Sequence, residues 1–140
     1  MRLLLLIAAA TLLGAAANAI SPRGLSWTRP LGRGVGAEVA AAGLTPVDLH
    51  SASDLVQRKS VLFVDARPME EYRIGRLPGA IPSTRTPPRD KPIVVYCANE
   101  FCDTALKLGA ELKKAGYKDV AVFVEGYEAW WNARGAVDQD

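Results

Sequence analysis

Three short apolar runs constrain this chain more than any other feature: Val61-Leu62-Phe63-Val64, Pro92-Ile93-Val94-Val95-Tyr96, and Val120 to Val124. Each is too short for a helix of ordinary length, and none alternates with polar residues. That composition suits strands buried on both faces, as in parallel sheets. Helical patterns separate the runs. Ser51 is placed to cap a helix to about Lys59, and Asp54 is read into its first turn. Pro68 to Ile74 forms a short helix with Pro in its first turn. A longer helix opens at Asp103 or Thr104 and runs to Ala115, with Ala105, Leu108, Leu112 and Ala115 on one face and Gly116 stopping it. Tyr127 to Ala133 carries Trp130 and Trp131 as core and rim. Val47 to Leu49 and Ile81 supply two minor strands, and Ser83 to Lys91 is a loop. This alternation predicts a layered α/β domain with a mainly parallel sheet.

The first residues read as a targeting segment. Arg2 precedes an unbroken stretch of apolar and small residues from Leu3 to Ala17, and Ala17-Asn18-Ala19 is a small-x-small cleavage site. Residues 1–19 are therefore expected to be a signal peptide, with the mature chain starting at Ile20 and exported to a periplasmic or secreted location. An uncleaved anchor is the alternative, but the stretch falls short of the ~20 apolar residues of a span. No stable membrane association is expected after cleavage. Residues 20–45, rich in Pro and Gly, read as a mobile leader with at most a short helix near Glu38 to Ala42, and the domain as residues 46–140. A formal net charge of +2 with no basic block argues against a nucleic-acid partner.

Export implies an oxidising compartment, and the chain has two cysteines, Cys97 and Cys102. Cys97 directly follows a buried strand, at the edge where open α/β sheets bind ligands. The loop Cys97-Ala98-Asn99-Glu100-Phe101-Cys102 leads into a helix N-terminus. Backbone amides converging there would stabilise a thiolate and make Cys97 a nucleophile. A buried, inert cysteine is the alternative.

The flanking residues resemble the rhodanese family from about Thr45 to Gly135. The matching segments are Val64-Asp65-Ala66-Arg67 with Glu71-Tyr72, Gly75-Arg76-Leu77-Pro78-Gly79-Ala80, Ile93 to Cys97, Gly116-Tyr117-Lys118-Asp119-Val120, and Glu125-Gly126-Tyr127 with Trp130. The resemblance implies a three-layer α/β/α fold. It implies that Cys97 takes a sulfane sulfur from a small donor, carries it as a persulfide and passes it to a thiol acceptor. It makes Ala98, Asn99, Glu100, Phe101 and Asp103 the substrate-binding loop, and Asp65 and Arg67 structural supports behind it. No cofactor is implied.

The chain departs from the family at three positions. Arg76 stands where His is usual, and Glu125 replaces the first of two glycines in a turn expected to face the loop. Cys102 replaces an Arg that usually closes the loop, a change that some exported relatives share. Loss of that Arg, with Glu100 and Asp103 nearby, should weaken the handling of anionic thiosulfate. Asp103 also reads as a helix cap. Cys102 could instead act as a resolving thiol, expelling the sulfur and leaving a Cys97–Cys102 disulfide, or the pair could form a static bridge. Two cysteines and the distant His50 do not make a metal site. Three functions follow: a sulfurtransferase or persulfide carrier, a thiol–disulfide redox protein, or a non-catalytic binding module. The protein partner is unknown.

Overall fold

A computed structural model describes residues 35–140. Five strands form one sheet: β1 (Thr45–Val47), β2 (Leu62–Asp65), β3 (Ile81–Pro82), β4 (Ile93–Tyr96) and β5 (Val120–Phe123). Their order is β1-β5-β4-β2-β3, and every neighbouring pair is parallel. The three apolar runs occupy the three central positions, and the two minor strands form the edges. Register aligns Asp65 with Tyr96 and Tyr96 with Phe123, so these side chains share the carboxyl edge of the sheet.

Side-chain alternation along β4 divides the core in two. Ile93 and Val95 pack on one face with Val64, Val122 and Leu112. Val94 and Tyr96 pack on the other with Phe63, Phe123 and Trp130. All four β4 side chains are at most 2% exposed. Each such burial contributes roughly 1.5–3 kcal/mol. Helices α1 (Val35–Ala41) and α4 (Thr104–Lys114) cover the first face. Helices α2 (Leu49–Arg58) and α5 (Gly126–Asn132) cover the second, completing the α/β/α layering. Helix α3 (Met69–Ile74) buries none of its residues. Among the described residues no helix is long and apolar enough to cross a membrane.

Several expectations need correction. Part of the expected leader is packed structure: Val39 of α1 is fully buried and Leu44 nearly so, both in the first core. The packed residues therefore begin upstream of Pro46. The short helix expected near Glu38 to Ala42 is present as α1, but with one deeply buried side chain it has too little periodicity for its packing to show in an Ala- and Gly-rich stretch. Residues 1–34, which hold the expected signal peptide and the rest of the leader, lie outside the described residues. Asp48, not Ser51, caps α2: its extended backbone lets its carboxylate accept the Ser51 N–H at 2.8 Å. Asp54 therefore falls beyond the first turn. Strand β1 ends at Val47, where the sequence suggested a strand beginning there.

Candidate active site

Tyr96 ends β4, and Cys97 follows at the carboxyl edge of the sheet, in the middle of the strand order. Cys97 is 4% exposed and belongs to the first core, while Cys102 is half-buried against that core. The two are joined by a disulfide, with Cα atoms 6.1 Å apart. That separation lies within the ~4.4–6.8 Å a bridge requires. Five residues of sequence separation thus curl back into a ring, a possibility the sequence left open.

Asn99 shapes the ring. Its carbonyl accepts the Cys102 N–H at 3.1 Å, and its side-chain Oδ1 accepts the Phe101 N–H at 3.1 Å. Its Nδ2 donates to Glu128 Oε1 at 2.9 Å. Two of the amides expected to converge on the Cys97 sulfur are thus directed to Asn99 instead, because an Asn side chain closes a local turn readily. Glu100 and Phe101 point outward, Phe101 being 76% exposed.

Asp103 sits at the cap position of α4, but its side chain makes no capping bond. It pairs with Lys107 at 2.8 Å instead. One of the two carboxylates expected to repel an anion is therefore partnered, and both are open to solvent screening.

Helix α5 clamps the loop. Its first amides have no intrahelical acceptor. The Tyr127 N–H donates to the Cys97 carbonyl at 2.9 Å, and the Glu128 N–H to the Ala98 carbonyl at 2.8 Å. Gly126 makes the approach possible, with φ +70° and space in which a Cβ would lie 2.6 Å from the Cys97 oxygen. Gly126, Tyr127 and Glu128 are site-forming residues that sequence reasoning noticed only as a motif or not at all. Their contacts span 29 or more positions, and no local pattern encodes them.

Behind the loop lies a buried polar network. Arg67 Nε and Nη2 donate to the two oxygens of Asp65, with Nη2–Oδ2 at 2.6 Å. Nη2 also donates to the Gly75 carbonyl at 2.6 Å. The Arg67 guanidinium stacks on the Tyr127 ring at 3.8 Å, and Glu71 lies 3.8 Å from Nη1. The Tyr96 hydroxyl donates to Asp65 Oδ2 at 2.6 Å and accepts the Leu77 N–H at 3.2 Å. Burial works against the Arg67 charge, but pairing with Asp65 outweighs it and the guanidinium titrates above its usual range. Burial, reinforced by Asp65, pushes the Tyr96 phenol well above its usual range, so it stays a neutral donor. Asp65 and Arg67 thus reach the loop through Tyr127.

The turn that holds Glu125 faces the loop as expected, but the Glu125 side chain is directed toward α2. Its Oε1 accepts the Leu49 N–H at 3.3 Å, at the start of α2, and its other oxygen is buried without a partner. Arg76 stacks on Tyr72 and pairs with Asp140 at 2.8 Å. Among the described residues no cluster of three or more metal-ligating side chains occurs.

Residues 48–133 match the family model for the rhodanese-like domain. An HTH-type transcriptional regulator of Mycobacterium tuberculosis is 33% identical over an alignment of 114 residues that covers 72% of this chain and 50% of the regulator. A tRNA sulfurtransferase of Desulfurococcus amylolyticus is 39% identical over 61 residues, 41% of this chain and 12% of that protein. The chain therefore spans half or less of the length of these curated relatives. Among solved structures, the BH2092 protein of Bacillus halodurans superposes with a TM-score of 0.63 at 22% identity, covering 73% of this chain and 82% of that one. A thiosulfate sulfurtransferase from Pseudomonas aeruginosa superposes with a TM-score of 0.55 at 26% identity, covering 68% of this chain and 20% of that one. A parallel five-stranded sheet with helices on both faces, a cysteine loop at its carboxyl edge and these matches lead to one conclusion: the chain belongs to the rhodanese-like domain family, which includes sulfurtransferases.

Proposed function

We propose that the protein is a sulfurtransferase or persulfide carrier that works in an exported setting and moves sulfane sulfur through Cys97. The observation that carries this reading is the Cys97–Cys102 disulfide at the carboxyl edge of the sheet. Cys97 sulfur is bonded there to a second sulfur, the same bond type a persulfide has. In the first step the Cys97 thiolate attacks the sulfane sulfur of a small donor and the rest of the donor leaves with the electron pair. In the second, a thiol acceptor attacks the outer sulfur and Cys97 leaves as thiolate. Alternatively the Cys102 thiolate attacks the inner sulfur, forming the disulfide and expelling hydrosulfide.

The thiol–disulfide redox reading rests on the same disulfide, and the two are separated by experiment. Reduced protein is treated with thiosulfate and weighed intact by mass spectrometry. The parent is expected to gain one sulfur atom, Cys97→Ser none. Cys102→Ser should hold the added sulfur longer than the parent, because no internal thiol can displace it. Cys102→Arg should raise thiosulfate turnover, since a guanidinium offers a fixed charge and several donors to the anion. If no variant retaining Cys97 ever gains sulfur, the sulfur-transfer reading fails and the redox reading stands in its place.

A further inference from the structure

The two cysteines of the disulfide are not equally exposed. Cys97 is 4% exposed, enclosed by the core residues around β4 and by the first turn of α5, whose Tyr127 amide holds its carbonyl. Cys102 is half-buried on the outer limb of the ring, between Phe101, which is 76% exposed, and a half-buried Asp103. A thiolate attacks a disulfide sulfur from the side opposite the bond it breaks, so access decides which sulfur reacts. Cys97 is almost closed to solvent, whereas Cys102 keeps a solvent-facing part beside the exposed Phe101.

We propose that a thiol reductant enters this site at Cys102, so that opening of the disulfide delivers Cys97 as the free thiolate. In the first exchange the reductant thiolate bonds to the Cys102 sulfur, the Cys97–Cys102 bond breaks, and Cys97 leaves with the electron pair. A second thiol of the reductant then attacks its own sulfur in the mixed disulfide and releases Cys102. The net change is two thiols oxidised to one disulfide and one protein disulfide reduced to two thiols. The partner is thus a dithiol, or two equivalents of a monothiol. The disulfide acts as a gate that keeps the buried Cys97 unreactive until Cys102 is engaged. This inference shares the disulfide with the proposed function but does not depend on sulfur transfer.

The test uses the oxidised full chain and β-mercaptoethanol, an uncharged thiol. Samples are quenched in acid at successive times, and peptide fragmentation between Ala98 and Phe101 locates the mixed disulfide. Extrapolation to zero time removes later exchange between the two positions. The expected result is an initial adduct at Cys102 exceeding that at Cys97 by tenfold or more. Equal adducts, or an excess at Cys97, overturn the proposal. So does the absence of any adduct under conditions where dithiothreitol opens the bond, and so does a protein whose cysteines fail to pair on oxidation. A parallel aliquot, fully reduced and given thiosulfate, reads persulfide formation by mass. Sulfur transfer and the route of entry can therefore fail separately.

Discussion

Arg67 shows how a single residue is tied to the site from a distance. Its side chain is almost wholly buried, yet its donors meet Asp65 and the Gly75 carbonyl, and its flat face meets Tyr127. Tyr127 in turn donates its amide to Cys97. Replacing Arg67 with Leu leaves Asp65 buried without its counter-charge, and breaking such a pair costs about 3–5 kcal/mol. Urea denaturation should show that loss, and the Asp65→Leu/Arg67→Leu double variant should lose clearly less than the two single variants together. Additive losses would mean that the two residues do not act as a pair. Asp65 and Arg67 were legible from the sequence as supports of the loop only through family resemblance. Their bidentate contact is local, but its link to Cys97 through Tyr127 depends on a contact 60 positions away, which no sequence pattern displays.

Two helix beginnings organise the elements around the site, and each is testable. The start of α5 spends its free amides on the carbonyls of Cys97 and Ala98, while Glu128 holds Asn99. Removing the Asn99 side chain deletes two hydrogen bonds that shape the ring, each worth roughly 0.5–1.5 kcal/mol net. A loss of about 1.4 kcal/mol is a tenfold change in an equilibrium constant. Asn99→Ala should therefore shift the disulfide toward its reduced form by at least roughly fivefold in dithiothreitol titrations. Glu128→Ala should shift it less, because it removes only one of the two bonds. An unchanged equilibrium in Asn99→Ala would show that the ring holds its shape without this side chain. At the start of α2, the Ser51 amide bond lowers the Asp48 pKa below its ordinary value. A depressed carboxylate contributes stability above its unfolded pKa of ~3.9 and loses it as pH falls through the lower folded value. Parent and Asp48→Ala should thus differ in urea midpoint at pH 5 and above, and converge as the pH drops below about 4. A difference that persists unchanged at pH 2.5 would rule out the charged cap as its source.

At the scale of the whole molecule, the packed unit reaches further upstream than its sequence suggests. Val39 is fully buried against the first face of the sheet, and Leu44 nearly so. The Leu44 side chain lies against α4, where a Cβ on Gly109 would come within 3.1 Å of Leu44 Cδ1. Val39→Ala should cost about 2 kcal/mol, in line with burial of one aliphatic side chain. A chain shortened to begin at Pro46 should lose more than that, since it removes both Val39 and Leu44 from the first face, whereas a start at Val35 retains both buried side chains. Thermal denaturation of the two truncations separates these cases. Equal melting temperatures would mean that α1 adds nothing to the domain.

The sequence by itself determined the layered α/β class, the three central strands and the placement of Cys97 at the end of one of them. These follow from unbroken apolar runs and from helix spacing, which are local properties of the chain. Tertiary structure decided what surrounds that cysteine. It curled the loop so that Cys102 meets Cys97, engaged two loop amides with Asn99, and brought α5 across the carbonyls of Cys97 and Ala98. It also turned Glu125 toward α2 and seated Val39 in the core. Each of these depends on atoms brought together by packing or by the path of a turn. Composition and periodicity report which residues prefer burial, but not which of them meet.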